Sequence, residues 1–241
     1  MEQEKSQAPK TMEEALQIDM PRVGELMSVI RSQRTTADRF RFNMSEQSAL
    51  DLLTAHYIFE VEARHNNIRL DENTINNLRK MAHYLTKPNP KFGVMLCGTC
   101  GNGKTTLVFA LRNTIAYLKN KGHFDKYRSS ESPYFDFELR FVDVRDVIEI
   151  FKDKPRYANL RSERLLAIDD LGKEPVEVLD YGNVTNPLTD LLEYRYLYQK
   201  FTIITTNLDA KEIREKYGTR VADRFNEMLE VIVFQDISYR H

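Results

Sequence analysis

Gly98-Thr99-Cys100-Gly101-Asn102-Gly103-Lys104-Thr105 has the spacing G-x-x-x-x-G-K-[ST]. These residue types at this spacing hold phosphates. Glycines let the backbone turn its N–H groups onto α- and β-phosphates, and a lysine reaches the β- and γ-phosphates. The following hydroxyl, Thr105, is placed to ligate Mg2+. A plain glycine turn between a strand and a helix is the bland alternative. The flanks favour the phosphate reading. Phe92 to Cys97 is a short apolar run, and Leu107, Ala110, Leu111, Ile115 and Leu118 recur at helical spacing after it.

A second constellation lies downstream. Leu165-Leu-Ala-Ile-Asp169-Asp170-Leu-Gly172 reads as an apolar strand ending in two carboxylates. In such a Walker B pattern the first acid, Asp169, holds Mg2+, and the second, Asp170, orients or deprotonates an attacking water. Phe201 to Thr206 is another apolar strand, followed by Asn207. Asn207 either contacts a γ-phosphate or the water, or caps the helix that follows. Arg220 and Arg224 stand at i and i+4 on one helical face. They either pair with Asp223 or Glu227 on a solvated face, or reach a neighbouring subunit's nucleotide. Cys97 and Cys100 form a CxxC, read as a strand-end thiol and a small loop residue, because no further ligands cluster nearby. The five histidines are scattered, so no zinc site is expected.

The elements that must position these residues follow from periodicity. Thr11-Met-Glu-Glu14 has the form of a capping box, and Val23, Leu26, Met27 and Ile30 fall at helical spacing. Ser45 is placed to cap a helix carrying Leu50, Leu53, Tyr57 and Val61. Asp71 is placed to cap another with Ile75, Leu78, Met81 and Leu85 inward. From residue 92 strands alternate with helices: strands at 92–97, 139–143, 164–169, 201–206 and 231–235, and helices at 103–119, 144–152, 186–199 and 210–229. Such alternation predicts a parallel sheet with helices on both faces. Residues 121–136 read as a long polar loop. The expected division is an N-terminal helical region, 1–70, and a nucleotide-binding domain, 71–241.

The chain has 241 residues and a formal net charge of -1, which argues against a strongly basic nucleic-acid coat while leaving room for a local basic patch. No apolar run spans a bilayer and the N-terminus has no signal-peptide pattern, so a cytoplasmic location is expected. Two cysteines exclude a disulfide framework.

GTCGNGKT, LLAIDDLG, TIITTN, GTRVADRF and the terminal SYR, in that order, resemble the AAA+ ATPases of the bacterial helicase-loader group, DnaC/DnaI type. The IstB transposition helper shares much of this set. The resemblance covers about residues 70–241. It implies an α/β P-loop AAA+ core with a five-stranded parallel sheet flanked by helices, a small N-terminal helical region and no full C-terminal helical lid. It also implies ATP and Mg2+ as cofactors. Gly98 to Thr106 become the Walker A loop, with Gly98, Thr99, Gly101, Asn102, Gly103, Lys104, Thr105 and Thr106 around the nucleotide. Thr105 and Asp169 become the metal residues, Asp170 the catalytic acid and Asn207 the sensor-1 residue. Arg224 matches the arginine finger, Arg220 supports it, and Arg240 falls where the loaders carry a sensor-2 arginine. The family's acid is commonly Glu; Asp170 has a shorter arm, which implies slow hydrolysis.

The implied function is an ATPase that loads or remodels a replicative DNA helicase on single-stranded DNA. The N-terminal region would grip the helicase, and the chain would self-associate through its arginine-finger interface. An IstB-like helper of a DNA transposase is the alternative, and a small-molecule P-loop kinase a more distant one. Residues 147–164 contain Phe151, Lys152, Lys154, Arg156, Tyr157, Arg161 and Arg164. They read either as a DNA-contacting element, with aromatics to stack and cations for phosphates, or as an ordinary amphipathic helix and connector.

Overall fold

The computed structural model describes residues 20–33, 39–124, 137–175, 177–180 and 183–234. The chain divides into two units, Met1–Asp38 and Arg39–His241. In the first, helix α1 (Met20–Gln33) leaves Val23, Leu26, Met27, Val29 and Ile30 exposed. The expected capping box at Thr11–Glu14 lies outside the described residues.

The second unit runs α2 (Glu46–Glu62), α3 (Glu72–Thr86), β1 (Gly93–Cys97), α4 (Lys104–Asn120), β2 (Leu139–Asp143), α5 (Val144–Phe151), α6 (Lys154–Ser162), β3 (Leu165–Leu171), β4 (Val178–Asp180), β5 (Asn183–Thr185), α7 (Pro187–Leu197), β6 (Phe201–Thr206), α8 (Ala210–Met228) and β7 (Leu229–Val233). Local chemistry starts the helices. Ser45, Asp71, Asp143, Asp153, Asn186 and Asp209 each accept a first-turn N–H at an N-cap, and Asp209 with Glu212 completes a capping box.

Five parallel strands form one sheet in the order β2-β3-β6-β1-β7. Both faces are buried, as a parallel sheet requires. Period-two alternation divides the side chains. Val94, Leu96, Ala167 and Ile203 face a core built with α2, α3 and α4. Met95, Leu166, Ile168 and Ile204 face a core built with α5 to α8. Arg195 of α7 is fully buried and donates to Thr202 Oγ1 and to the carbonyls of Phe201, Arg161 and Glu163. Burial lowers its pKa to about 9, so it stays protonated at neutral pH.

The five-stranded parallel fold agrees with the reading from sequence, while several boundaries differ. β3 does not stop at 169 but continues through Leu171. β7 starts at Leu229, two residues early, because α8 ends at Met228. The β4–β5 hairpin had no sequence signal. Residues 147–164 are two helices, broken where Asp153 caps α6 and Pro155 occupies its first turn. Helix α2, placed by sequence in the N-terminal region, contributes Ala49, Leu53 and Tyr57 to the core shared with α4. The two compact units divide at Asp38/Arg39. Most of the polar loop, 125–136, lies outside the described residues.

Candidate functional site

β6 lies between β3 and β1, so the C-terminal ends of these three strands converge. That edge is where open α/β sheets bind ligands. The loop after β1 carries Gly98 to Gly103, β3 carries Asp169 and Asp170, and Asn207 follows β6.

The loop bends through glycines at positive φ, among them Gly101 (φ 85°) and Gly103 (φ 91°). Gly103 is also the N-cap of α4, where no side chain caps the helix. The first N–H groups of α4 are thus left for an anion. A Cβ on Gly103 would sit 2.5 Å from the Tyr57 hydroxyl, so α2 presses directly on the loop.

Lys104 is 5% exposed. Its Nζ lies 2.7 Å from the Gly98 and Thr99 carbonyls, 3.0 Å from Asn102 Oδ1 and 2.9 Å from Asn207 Oδ1. Burial lowers its pKa, against the pull of Asp170, Cys100 and Asp169. Asn102 is buried, and its Nδ2 has no partner among the described residues. Thr105 Oγ1 donates to both Asp169 oxygens at 3.0 and 3.2 Å, and Thr205 Oγ1 donates to Asp169 Oδ1 at 2.5 Å. Burial raises the Asp169 pKa, while the two threonine hydrogen bonds hold it down.

Asp170 occupies a bulge. Ile168 pairs with Ile204 and Leu171 with Thr206, and the register shifts between them. Asp170 takes φ +61° there, its N–H donates to Thr205 Oγ1 at 2.9 Å, and Lys173 Nζ donates to its Oδ2 at 2.5 Å. A bulge of this kind re-aims a side chain beside a site. The acid pair therefore sits within β3, where the sequence put it at a strand end.

These groups share one cleft of about 410 Å3, lined by Gly101 to Thr106, Asp169, Asp170 and Asn207. Its other wall was not read from the sequence. Tyr57, Arg64, Asn66, Asn67 and Arg69 come from α2 and the segment after it, and Lys173 from the turn after β3. Arg64 Nη1 donates to Thr106 Oγ1 at 2.9 Å. No spacing links these residues to the glycine loop; helical periodicity gives Tyr57 only as an inward position. Thr99 is exposed and borders a neighbouring apolar cleft instead.

The paired arginines lie elsewhere. Arg220 and Arg224 line a second cleft of about 830 Å3 with α6 and α7. Both pair with one carboxylate, Glu193 of α7, and neither pairs with Asp223 or Glu227. Asp223 instead meets Arg214, and Glu227 accepts from the Tyr196 hydroxyl. Arg224 also lies over the Tyr196 ring, 5.1 Å from its centroid. Arg240 lies outside the described residues.

Phe151 and Tyr157, candidates for stacking bases, are both 7% exposed, and the Tyr157 hydroxyl donates to the Pro187 carbonyl. They belong to the core, so only the cations of 147–164 remain for phosphates. Among the described residues no cluster of His, Cys, Asp and Glu could hold a metal by itself, and no helix is long and apolar enough to cross a membrane. Cys100 is exposed, and burial pushes the Cys97 thiol up to about 11.

Two crystal structures share this fold. The DnaC helicase loader is 23% identical over 70% of this chain and 93% of that chain, with a TM-score of 0.52. DnaI is 18% identical over 69% of this chain and 87% of that chain, with a TM-score of 0.50. No family model and no curated protein matches the sequence. The chain thus shares the fold of the DnaC helicase loader.

Proposed function

We propose that the chain binds and hydrolyses ATP with Mg2+ and loads or remodels a replicative helicase on single-stranded DNA. One observation carries the nucleotide reading: Lys104, Thr105, Asp169, Asp170 and Asn207, from three separate strand ends, meet in a single cleft. Its residues fit a nucleoside triphosphate. Lys104 now spends its donors on backbone carbonyls, and a phosphate would be a stronger acceptor for them. The partnerless Asn102 Nδ2 would gain an acceptor as well. Thr105 Oγ1 and Asp169 would hold Mg2+, whose chemistry is to draw charge off the β- and γ-phosphate oxygens. Mg2+ ordinarily takes few protein ligands and completes its shell with phosphates and water, which suits a pair of this size.

Asn207 and Lys104 would fix the γ-phosphate. Asp170 would receive the proton of the attacking water once Lys173 yields its Oδ2. Arg224, with Arg220 beside it, would complete the site of a neighbouring protomer. Their separate cleft supports this reading, because within one chain they do not line the nucleotide cleft.

The likeness to the DnaC helicase loader supports the helicase partner. The domain division is proposed as 1–70 for partner binding and 71–241 for the ATPase. Within the first part the grip falls to the segment ahead of Arg39, because α2 is committed to the core and the cleft. The apolar row Leu26, Met27 and Ile30 on α1 suits a helix-in-groove contact. Single-stranded DNA would meet the cations of α6.

Immobilised full-length chain, beside its Leu26→Asp/Ile30→Asp variant, tests the partner. Wild type retains a replicative helicase and the variant loses it by about tenfold or more. Capture of a transposase in its place overturns the loading reading and installs the helper one.

A further inference from the structure

Glu174 is a buried carboxylate to which the chemistry above gives no part. Its side chain is 1% exposed. It follows the acid pair by one turn of loop and ties that loop to α8. Oε2 accepts the Gly172 N–H at 2.9 Å, and Oε1 accepts the Tyr217 hydroxyl. The Lys216 ammonium lies 3.7 Å from Oε1 and donates to the carbonyls of Gly172 and Glu174 at 2.5 and 2.8 Å. A buried charge is tolerated only when paired and hydrogen-bonded, and this one meets both conditions.

The network has two ends. At one, Lys173 lies between Gly172 and Glu174 and holds the Asp170 carboxylate. The same loop presses on the residue after Asn207: a Cβ at Gly172 would meet Leu208 Cδ1 at 2.7 Å. At the other, Lys216 and Tyr217 immediately precede Gly218, where α8 breaks with φ 82° and ψ 164°. The part of α8 beyond that break presents Arg220 and Arg224 to the second cleft.

We infer that Glu174 is a positioning residue that couples the turn carrying Asp170 and Lys173 to the helix carrying Arg220 and Arg224. A shift of the arginine-bearing helix on meeting a neighbour would then reach the Lys173–Asp170 contact through a few buried hydrogen bonds. Conversely, release of Asp170 would reach the arginines by the same route. The inference depends on the hydrolysis reading for its consequence, though not for the coupling itself.

Two measurements on the full chain test it. The first is amide hydrogen exchange without nucleotide. In Tyr217→Phe, residues 170–175 and 213–225 are expected to exchange faster by about the same factor, as one cooperative unit. Faster exchange confined to α8 overturns the coupling. The second is steady-state hydrolysis. Tyr217→Phe and Glu174→Gln are each expected to lower kcat on the order of tenfold with KM held, and the double variant to be no worse than the poorer single one. Additive losses, or a raised KM at constant kcat, overturn it. Should Glu174→Gln fail to fold, Tyr217→Phe, which keeps the carboxylate and its Gly172 contact, carries the test. The exchange arm needs no nucleotide, so it decides the coupling even if the hydrolysis reading falls.

Discussion

The two clefts of this chain are built differently. Around Lys104 the lysine, Asn102 and Asp169 are buried, and with Thr105 and Asn207 they converge from three strands and hold one another by side-chain hydrogen bonds. Around Arg224 a single carboxylate, Glu193, serves two arginines, and the Arg220 side chain is 74% exposed. Preorganised donors in a dry site can act on a ligand as they stand. Two arginines sharing one partner, with Arg220 largely exposed and Arg224 half-buried, do not make a site by themselves; they have charge left for something brought to them. The first cleft is accordingly to be tested for binding and the second for assembly.

Arg224→Ala presses hardest on that distinction. Hydrolysis should fall by about 10³-fold, the scale of a lost arginine finger, with nucleotide affinity unchanged in a fluorescent ATP-analogue titration. A matching loss of affinity would place Arg224 in its own chain's site and dissolve the contrast. Lys104→Ala should do the reverse. It deletes a desolvated charge at the phosphates, so affinity should weaken by on the order of 10²-fold, about 3 kcal/mol. Unchanged affinity in the same titration would remove the glycine loop from nucleotide binding.

The smallest effect concerns Asp169 in the nucleotide-free chain. Burial raises its pKa above the ordinary 3.8, so the folded chain binds this proton more tightly than the unfolded chain does. Stability from this group is greatest at acid pH and is lost as pH climbs through the raised value. Asp169→Asn removes the buried charge and keeps one acceptor oxygen for Thr205. At neutral pH it should raise Tm by about 2–4 °C, roughly 1 kcal/mol, while abolishing Mg2+-dependent hydrolysis. A lower Tm in calorimetry would show the carboxylate to be a net stabiliser.

Much of the first cleft was legible because its chemistry is local. The glycine loop, the acid pair and Asn207 are each read within a few residues, and strand–helix alternation brings them together. The caps at Ser45 and Asp71 were legible for the same reason. What escaped was long-range. Arg64 reaches Thr106 from a helix end 42 residues earlier, a juxtaposition that no periodicity encodes. Glu193 forms an ion pair with Arg224 from another helix, which no reading along the arginines' own helix can find. The β4–β5 hairpin is too short to show alternation.

The bulge in β3 bears on why the acid at 170 is aspartate. Pairing resumes immediately beyond it, with the Thr206 hydroxyl donating to the Leu171 carbonyl at 2.8 Å, so the kink is pinned on both sides. The backbone at 170 is thereby held at φ +61°, a left-handed conformation. Apart from glycine, asparagine and aspartate are the residues that visit it most readily. Glycine would relax the chain and delete the carboxylate, and glutamate would lengthen the arm on a backbone less suited to it. The short acid is thus the side chain on which the geometry of the main chain and the need for a carboxylate agree.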